Sequence, residues 1–212
     1  MKRPISFRFP LAIVANGLFP SHNHPLDCLK KSGTIISIDG ALDTCLQKGF
    51  HVSAVLGDMD SLDQRENEFN GLWIPLPNQN KTDLEKTLDW CLENGINRLT
   101  LLGATGLRED MTLANHYILF DYFNRLEITM VTDHFSISCH QGQQSFESFP
   151  GQTVSIIAYQ EKTIVSSTAL QFPLSQFVLE PSARAISNRS IGNTFSIDAS
   201  KPFLVFRSHL EE

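Results

Sequence analysis

The stretch FHVSAVLGDMDSLD (residues 50–63) decides how the chain is read, because two local patterns meet in it. Its first half is apolar and rich in β-branched residues, and it reads as a strand. Its second half puts Asp58, Asp60 and Asp63 within six positions, directly where the apolar run stops. Three like charges at the mouth of a sheet repel one another unless solvent or a divalent cation compensates them. In open α/β sheets ligands bind outside the carboxyl ends of the strands. An acidic turn there is where a site would form.

The same rhythm extends on both sides. LAIVAN (11–16) and TIISID (34–39) read as strands, with helices PLDCLKKS (25–32) and ALDTCLQKG (41–49) after them. TDLEKTLDWCLENG (82–95) carries Leu84, Leu88, Cys91 and Leu92 at helical spacing, one buried stripe. Thr82 and Glu85 fit a capping box at its start, and Gly95 fits its stop. INRLTLLG (96–103) and EITMVTD (127–133) are further strands around the helical pattern LANHYILFDYFNRL (113–126). Alternation of this kind predicts a mainly parallel, Rossmann-like sheet flanked by helices on both faces.

Past residue 134 the pattern becomes all-β. FSISCH, QTVSIIAYQ, TIVSSTAL, ARAISNRS, NTFSID and PFLVFR are short segments punctuated by Gly, Pro, Ser and Gln. They predict a small sandwich or barrel, with an α/β domain over 1–135 and a β domain over 136–212.

Composition bounds the function. A net charge of −6 with no basic run argues against a nucleic-acid partner. No apolar run nears the roughly 20 residues of a membrane span, and LAIVA is shorter than a signal-peptide core. Cys28, Cys45, Cys91 and Cys139 are widely spaced and read as free thiols in a reducing compartment. The expectation is a cytoplasmic protein that binds neither membrane nor nucleic acid.

Candidate site residues recur at strand ends and helix starts: Asp39 after TIISI, Asp58 and Asp60 after SAVLG, Asp83 at a helix start, and Arg108 with Asp110 after LTLLGATGL. Mg²⁺ takes oxygen ligands and shares itself with substrate phosphates, so carboxylates in this arrangement suit it. Each feature also has a plain reading. Asp83 suits the helix dipole, Asp39–Gly40 suits a turn, and Arg108 with Asp110 suits a surface pair. There is no P-loop and no G-x-G-x-x-G after the first strand. HNH (22–24) reads as a polar loop and His116 as a satisfied core or interface histidine. Cys139–His140 lacks an evident acid partner, and Phe195, Phe203 and Phe206 read as β core.

Taken in order, SIDGALD, GDMDSLD, NQNKTDLEKTLDWC, LLGATGLREDMTLAN and AISNRS resemble the signature motifs of the thiamine pyrophosphokinase family. Those motifs are an Asp-Gly-Gly-Ala turn, Gly-Asp-x-Asp-Ser, Lys-or-His-Thr-Asp-x-x-Lys, Gly-x-x-Gly-x-Arg-x-Asp-His and a late Ser-Asn. The resemblance implies an α/β domain plus a β-sandwich, assembled as a homodimer with thiamine sites at the subunit interface. It implies Mg²⁺-dependent transfer of a diphosphate group from ATP to the hydroxyl of thiamine, giving thiamine diphosphate and AMP. Asp58, Asp60 and Asp83 fall on the metal and phosphate carboxylates, and Asp83 or Asp110 is the implied proton acceptor. Asp39, Lys81 and Arg108 fall on the ATP side; Gln79, Ser187 and Asn188 fall on the thiamine side. The chain departs from the pattern at Ala41, Leu107 and Met111, where the family has Gly, Gly and His. FLVF (203–206) also lacks the Trp that stacks on thiamine in some members. The departures motivate a second reading, a non-catalytic thiamine- or nucleotide-binding protein on the same scaffold. A third, a sugar-nucleotide transferase using D-x-D, leaves TDLEK and the Ser-Asn pair without an account.

Overall fold

A computed structural model describes residues 7–58 and 69–209, which divide into two compact units. The first comprises Met1–Ile118 and Asn124–Asp133, the second Leu119–Phe123 and His134–Glu212. Asp60, Ser61 and Asp63 lie outside the described residues.

Up to Val131 the chain follows the alternation read from the sequence: β1 (Leu11–Val14), α1 (Asn23–Lys31), β2 (Thr34–Ile38), α2 (Ala41–Gln47), β3 (Ala54–Gly57), β4 (Leu72–Pro75), α3 (Asp83–Glu93), β5 (Arg98–Leu102), α4 (Glu109–Tyr122) and β6 (Glu127–Val131), all in the first unit except the end of α4 from Leu119 on. The strands run in the order β6-β5-β1-β2-β3-β4, and every pairing among them is parallel. Every residue of β1, β2 and β3 is buried, as in parallel strands covered on both faces. The edge strand β4 gives no strand signal in the sequence, since three apolar residues between Gly71 and Pro75 look like loop. An edge position tolerates that brevity and that proline.

The helix ends obey local chemistry. Thr82 caps α3 with both arms of the capping box formed, so two of the orphan N–H groups at that end are satisfied by Thr82 and Glu85. Gly49 and Gly95 follow α2 and α3 with φ of 78° and 75°, the left-handed conformation that stops a helix. Leu84, Leu88 and Cys91 are buried as the stripe requires, while Leu92 is half-buried. Full burial of a leucine such as Leu88 stabilises by roughly 1.5–3 kcal/mol. His22, expected in a plain polar loop, is the N-cap of α1, its ring accepting from the His24 N–H.

The second unit is antiparallel: β7 (Phe135–Glu147), β8 (Thr153–Ala158), β9 (Thr163–Thr168), β10 (Phe177–Leu179), β11 (Asn188–Arg189) and β12 (Thr194–Ser208). The segments NTFSID and PFLVFR, read as two strands, are one. β12 stays paired to β7 throughout, and a bulge sets Ser200, Lys201 and Pro202 opposite Gln141 alone. Pro202 has no N–H to give a ladder, and the irregularity is where that costs nothing. Before the bulge β12 also pairs with β9, and after it with β8. FSISCH likewise continues to Glu147, with Gly142 at φ 70° opposite Ala199. The expected strand in ARAISNRS shrinks to two residues because Ser187, at φ 57°, leaves extended backbone. Phe146, Phe195, Phe203 and Val205 share the core of this unit, and Phe146 stacks on Phe195 at 5.1 Å.

All four cysteines are free. Burial pushes the Cys45, Cys91 and Cys139 thiols up to about 12, so all three stay protonated and inert. Among the described residues no helix is long and apolar enough to cross a membrane.

Candidate active site

At the carboxyl ends of β1 and β5 the chain continues to pair past the strands themselves. Ala15 N–H donates to Leu102 O at 2.8 Å, Gly17 N–H to Gly103 O at 2.7 Å and Leu18 N–H to Thr105 O at 2.8 Å. The approach is too close for a side chain: a Cβ on Gly17 would stand 2.4 Å from Gly103 O. The GATG turn is thereby pinned to the first loop and leads into α4.

One strand further along, Asp39 terminates β2 with φ 39°, and its N–H donates to Leu56 O at 2.9 Å. Its Cβ packs against Gly57, where an added Cβ would come within 3.2 Å. The Asp39 and Asp58 backbones are therefore neighbours at the ends of adjacent strands. Asp83 stands in the first turn of α3, a helix that packs on β2 and β3. Asp83 and Arg108 line one pocket of about 240 Å³, together with Asn16, Ile38, Thr105 and Asn115. The ends of β1, β2 and β5 and the starts of α3 and α4 converge on it. A larger depression of about 760 Å³, lined by Arg8, Thr34, His51 and Ser53 among others, opens at the amino ends of the strands. It contains none of the residues singled out above, and the carboxyl edge is where open parallel sheets bind ligands.

The charges at this edge are partly paired among themselves. Lys86 Nζ lies 2.6 Å from Asp83 Oδ1, with the lysine side chain 6% and the aspartate side chain 36% exposed. An exposed pair at this helical spacing contributes about 0.2–0.5 kcal/mol, whereas breaking a buried one costs about 3–5 kcal/mol. Arg108 forks onto Asp110, with Nη2 to Oδ2 at 2.7 Å and Nε to Oδ1 at 3.1 Å. Asp110 also accepts the Met111 N–H at 2.8 Å. The Arg108 hydrogen bond and that N–H hold the Asp110 carboxyl below the usual carboxylate range. Both side chains are exposed, so water screens the pair and Arg108 can exchange Asp110 for an anion cheaply. Lys81 pairs with Asp89 on the surface, and Gln79 lies in the exposed turn after β4. Leu107 and Met111, the two departures near Arg108, are exposed on the rim of the pocket.

In the second unit Ser187 is exposed, its backbone N–H donating to Ser155 Oγ at 3.0 Å. Asn188 is buried. Its Oδ1 accepts from Phe172 N–H at 3.0 Å and from Arg189 N–H at 2.9 Å, and its Nδ2 donates to Phe172 O at 2.6 Å. Val205 is fully buried in the core, leaving it no face to stack on a ligand.

No three His, Cys, Asp or Glu residues gather into a metal-holding group among the described residues. The donor set still fits Mg²⁺. The ion uses one or two carboxylates together with substrate phosphates and water, and Asp58 and Asp83 are oxygen donors at one edge.

Lys86 closes the Lys-or-His-Thr-Asp-x-x-Lys pattern, but the pattern assigns it no role; its three-residue spacing from Asp83 puts the two side chains on one helix face. Asn115, buried on α4, donates Nδ2 to Ala104 O at 2.7 Å and so holds the GATG turn onto the helix. No sequence signal distinguishes it from a surface asparagine. His116 beside it hydrogen-bonds the Thr112 carbonyl at 2.7 Å, and burial drives its pKa below the ordinary imidazole range. The unfolded chain thus takes up a proton that the folded chain resists. Stability that is complete above the unfolded pKa falls as pH drops through the folded value. Denaturant midpoints should fall between about pH 7 and about pH 5, and less steeply in His116→Gln; equal slopes in the two proteins would refute this.

Residues 26–130 match the family model described as thiamin pyrophosphokinase, catalytic domain. Thiamin pyrophosphokinase 1 of Caenorhabditis elegans is 24% identical over 191 residues, covering 83% of this chain and 79% of the relative. The crystal structure of thiamine pyrophosphokinase from Bacillus subtilis superposes with a TM-score of 0.80 at 23% identity, over 93% of this chain and 98% of that one. A probable thiamine pyrophosphokinase from Staphylococcus saprophyticus gives 0.71 at 25% identity, over 95% and 100%. The shared architecture is a mixed α/β fold built on a large sheet.

Proposed function

From the match of residues 26–130 to the thiamin pyrophosphokinase catalytic-domain model, we propose that this chain is a diphosphotransferase. It moves a diphosphate group from ATP to the hydroxyl of thiamine, giving thiamine diphosphate and AMP. The observation that carries the reading is the pocket at the carboxyl ends of the strands, which Asp83 and Arg108 line together beside the turns bearing Asp39 and Asp58.

The thiamine hydroxyl oxygen attacks the β-phosphorus, the bond from that phosphorus to the α-phosphate bridging oxygen breaks, and AMP leaves. Such transfer needs positioning and charge neutralisation more than a strong nucleophile. Arg108 turns from Asp110 to phosphate oxygens, where its fork matches them bidentately, and Lys81 supports the same end. Asp39 holds the nucleotide side of the site. Asp83 or Asp110 accepts the hydroxyl proton. Asp58, Asp60 and Asp83 would hold Mg²⁺, which when bound would neutralise charge on the phosphate oxygens and on the departing AMP. Gln79, Ser187 and Asn188 form the thiamine side, with exposed Ser187 in contact and Asn188 supporting it. The finer architecture in this reading is a Rossmann-like catalytic domain over 1–135 and a thiamine-binding β-sandwich over 136–212. The active form is a cytoplasmic homodimer with its sites at the subunit interface, and neither membrane nor nucleic acid takes part.

The decisive measurement is AMP release from ATP with the purified chain. It should require thiamine and Mg²⁺ together and should match thiamine diphosphate one to one. Thiamine binding without AMP would instead make the chain a non-catalytic binding protein.

A further inference from the structure

Lys86 is a buried cation whose ion-pair partner among the described residues is Asp83. Lysine is almost never buried unless it is paired, and the three-residue offset on α3 puts the pair on one helix face. The contact is lopsided. Asp83 Oδ1 is inaccessible to solvent and makes no directed hydrogen bond, with the Lys86 ammonium 2.6 Å away. Since the Asp83 side chain is nonetheless 36% exposed, its exposure comes from its other atoms, and Asp83 lines the pocket.

We infer that Lys86 is a positioning residue for Asp83. It anchors one carboxylate oxygen inside the helix–sheet packing, so that Asp83 presents only its other oxygen to a cation and binds it through a single atom. The inference rests on the reading of Asp83 as a carboxylate of the metal–phosphate site. A helix pair kept only for stability would not need burial, since apolar side chains of the same volume hold such positions as well or better. What a buried ammonium adds is direction. A carboxylate pivoting freely about its side-chain torsions at a helix start would offer either oxygen, or both, to whatever cation arrived. With one oxygen anchored, the other has a fixed bearing, the arrangement by which neighbours of metal ligands tune affinity.

The test is Mn²⁺ binding, followed by electron paramagnetic resonance, to the full chain with a non-hydrolysable ATP analogue present. The proteins compared are wild type, Lys86→Met, Lys86→Gln, Asp83→Asn and the Lys86→Met/Asp83→Asn double variant. Circular dichroism checks that each one folds. Lys86→Met should weaken Mn²⁺ by about tenfold to a hundredfold, with no further loss when added to Asp83→Asn. Lys86→Gln, which keeps a donor near Oδ1, should lose less, and it carries the test if the methionine variant does not fold. Wild-type or tighter Mn²⁺ binding in the folded Lys86 variants overturns the inference, because the lysine would then be inert or a competitor of the cation. If Asp83→Asn itself binds Mn²⁺ like wild type, the reading of the metal site fails and takes this inference with it. Loss in Asp83→Asn with none in the lysine variants refutes the positioning role alone.

Discussion

Asp58→Ala should lower the rate of diphosphate transfer by about a thousandfold, the ~4 kcal/mol that withdrawing a direct charge-stabilising contact removes from a transition state, while the protein keeps its fold. The two halves of that expectation have separate origins. β3 is held by parallel pairing to β2 and β4 and by burial of all four of its residues, and none of this uses the Asp58 carboxylate. Asp58 comes after the strand and is half-buried. Thermal midpoints should therefore stay near wild type. The rate should not, because the carboxylate is one of the few oxygen ligands this edge can offer a cation beyond the phosphates. Raising Mg²⁺ should recover part of the loss by mass action. A variant that turns over near the wild-type rate at saturating Mg²⁺ would remove Asp58 from the site and leave its charge a matter of solvation.

Much of this was legible in the residues, and the limits have physical causes. Helix boundaries read well because capping is local chemistry: Thr82 with Glu85, and Gly95 after them, sit where the chain writes them. The central strands read well because burial on both faces demands an unbroken apolar run. β4 and β10 did not, since an edge or three-residue strand takes its hydrogen bonds from a neighbour and needs little pattern of its own. The continuity of β12 was hidden for the opposite reason. A proline in mid-run signals a break, and only the partner strand reveals that a bulge absorbs it. Within the site, residue types that match a motif were visible, and Arg108 with Asp110 forms the surface pair that their spacing suits. That Lys86 lies buried beside Asp83 depends on rotamers and burial that spacing does not encode.

Asn188 presents the sharpest contrast between motif and geometry, and it carries the second large effect. Asn188→Ala should cost about 2–4 kcal/mol of stability, roughly 5–15 °C in a chain of this size. The Asn188 amide bonds to the backbone of Phe172 in both directions and also accepts the Arg189 N–H. It thus acts as an extra rung beside the Gln171 N–H to Arg189 O bond at 2.7 Å and the Leu170–Ser190 bridge. Truncation removes three hydrogen bonds to the backbone of Phe172 and Arg189 at a partly buried place, where water replaces them incompletely. Asn188→Asp should be no better, since a carboxylate oxygen facing the Phe172 carbonyl exchanges a donor for a repulsion. Ser187→Ala provides the counterpart. Ser187 is exposed and is held through its backbone N–H, so loss of its hydroxyl should leave the melting temperature unchanged. A thiamine contact would then register as a raised KM at nearly constant kcat. Support and contact are therefore separable in adjacent residues. If Asn188→Ala melts with the wild type and only its thiamine KM moves, the amide belongs to the substrate and its bonds to Phe172 are dispensable.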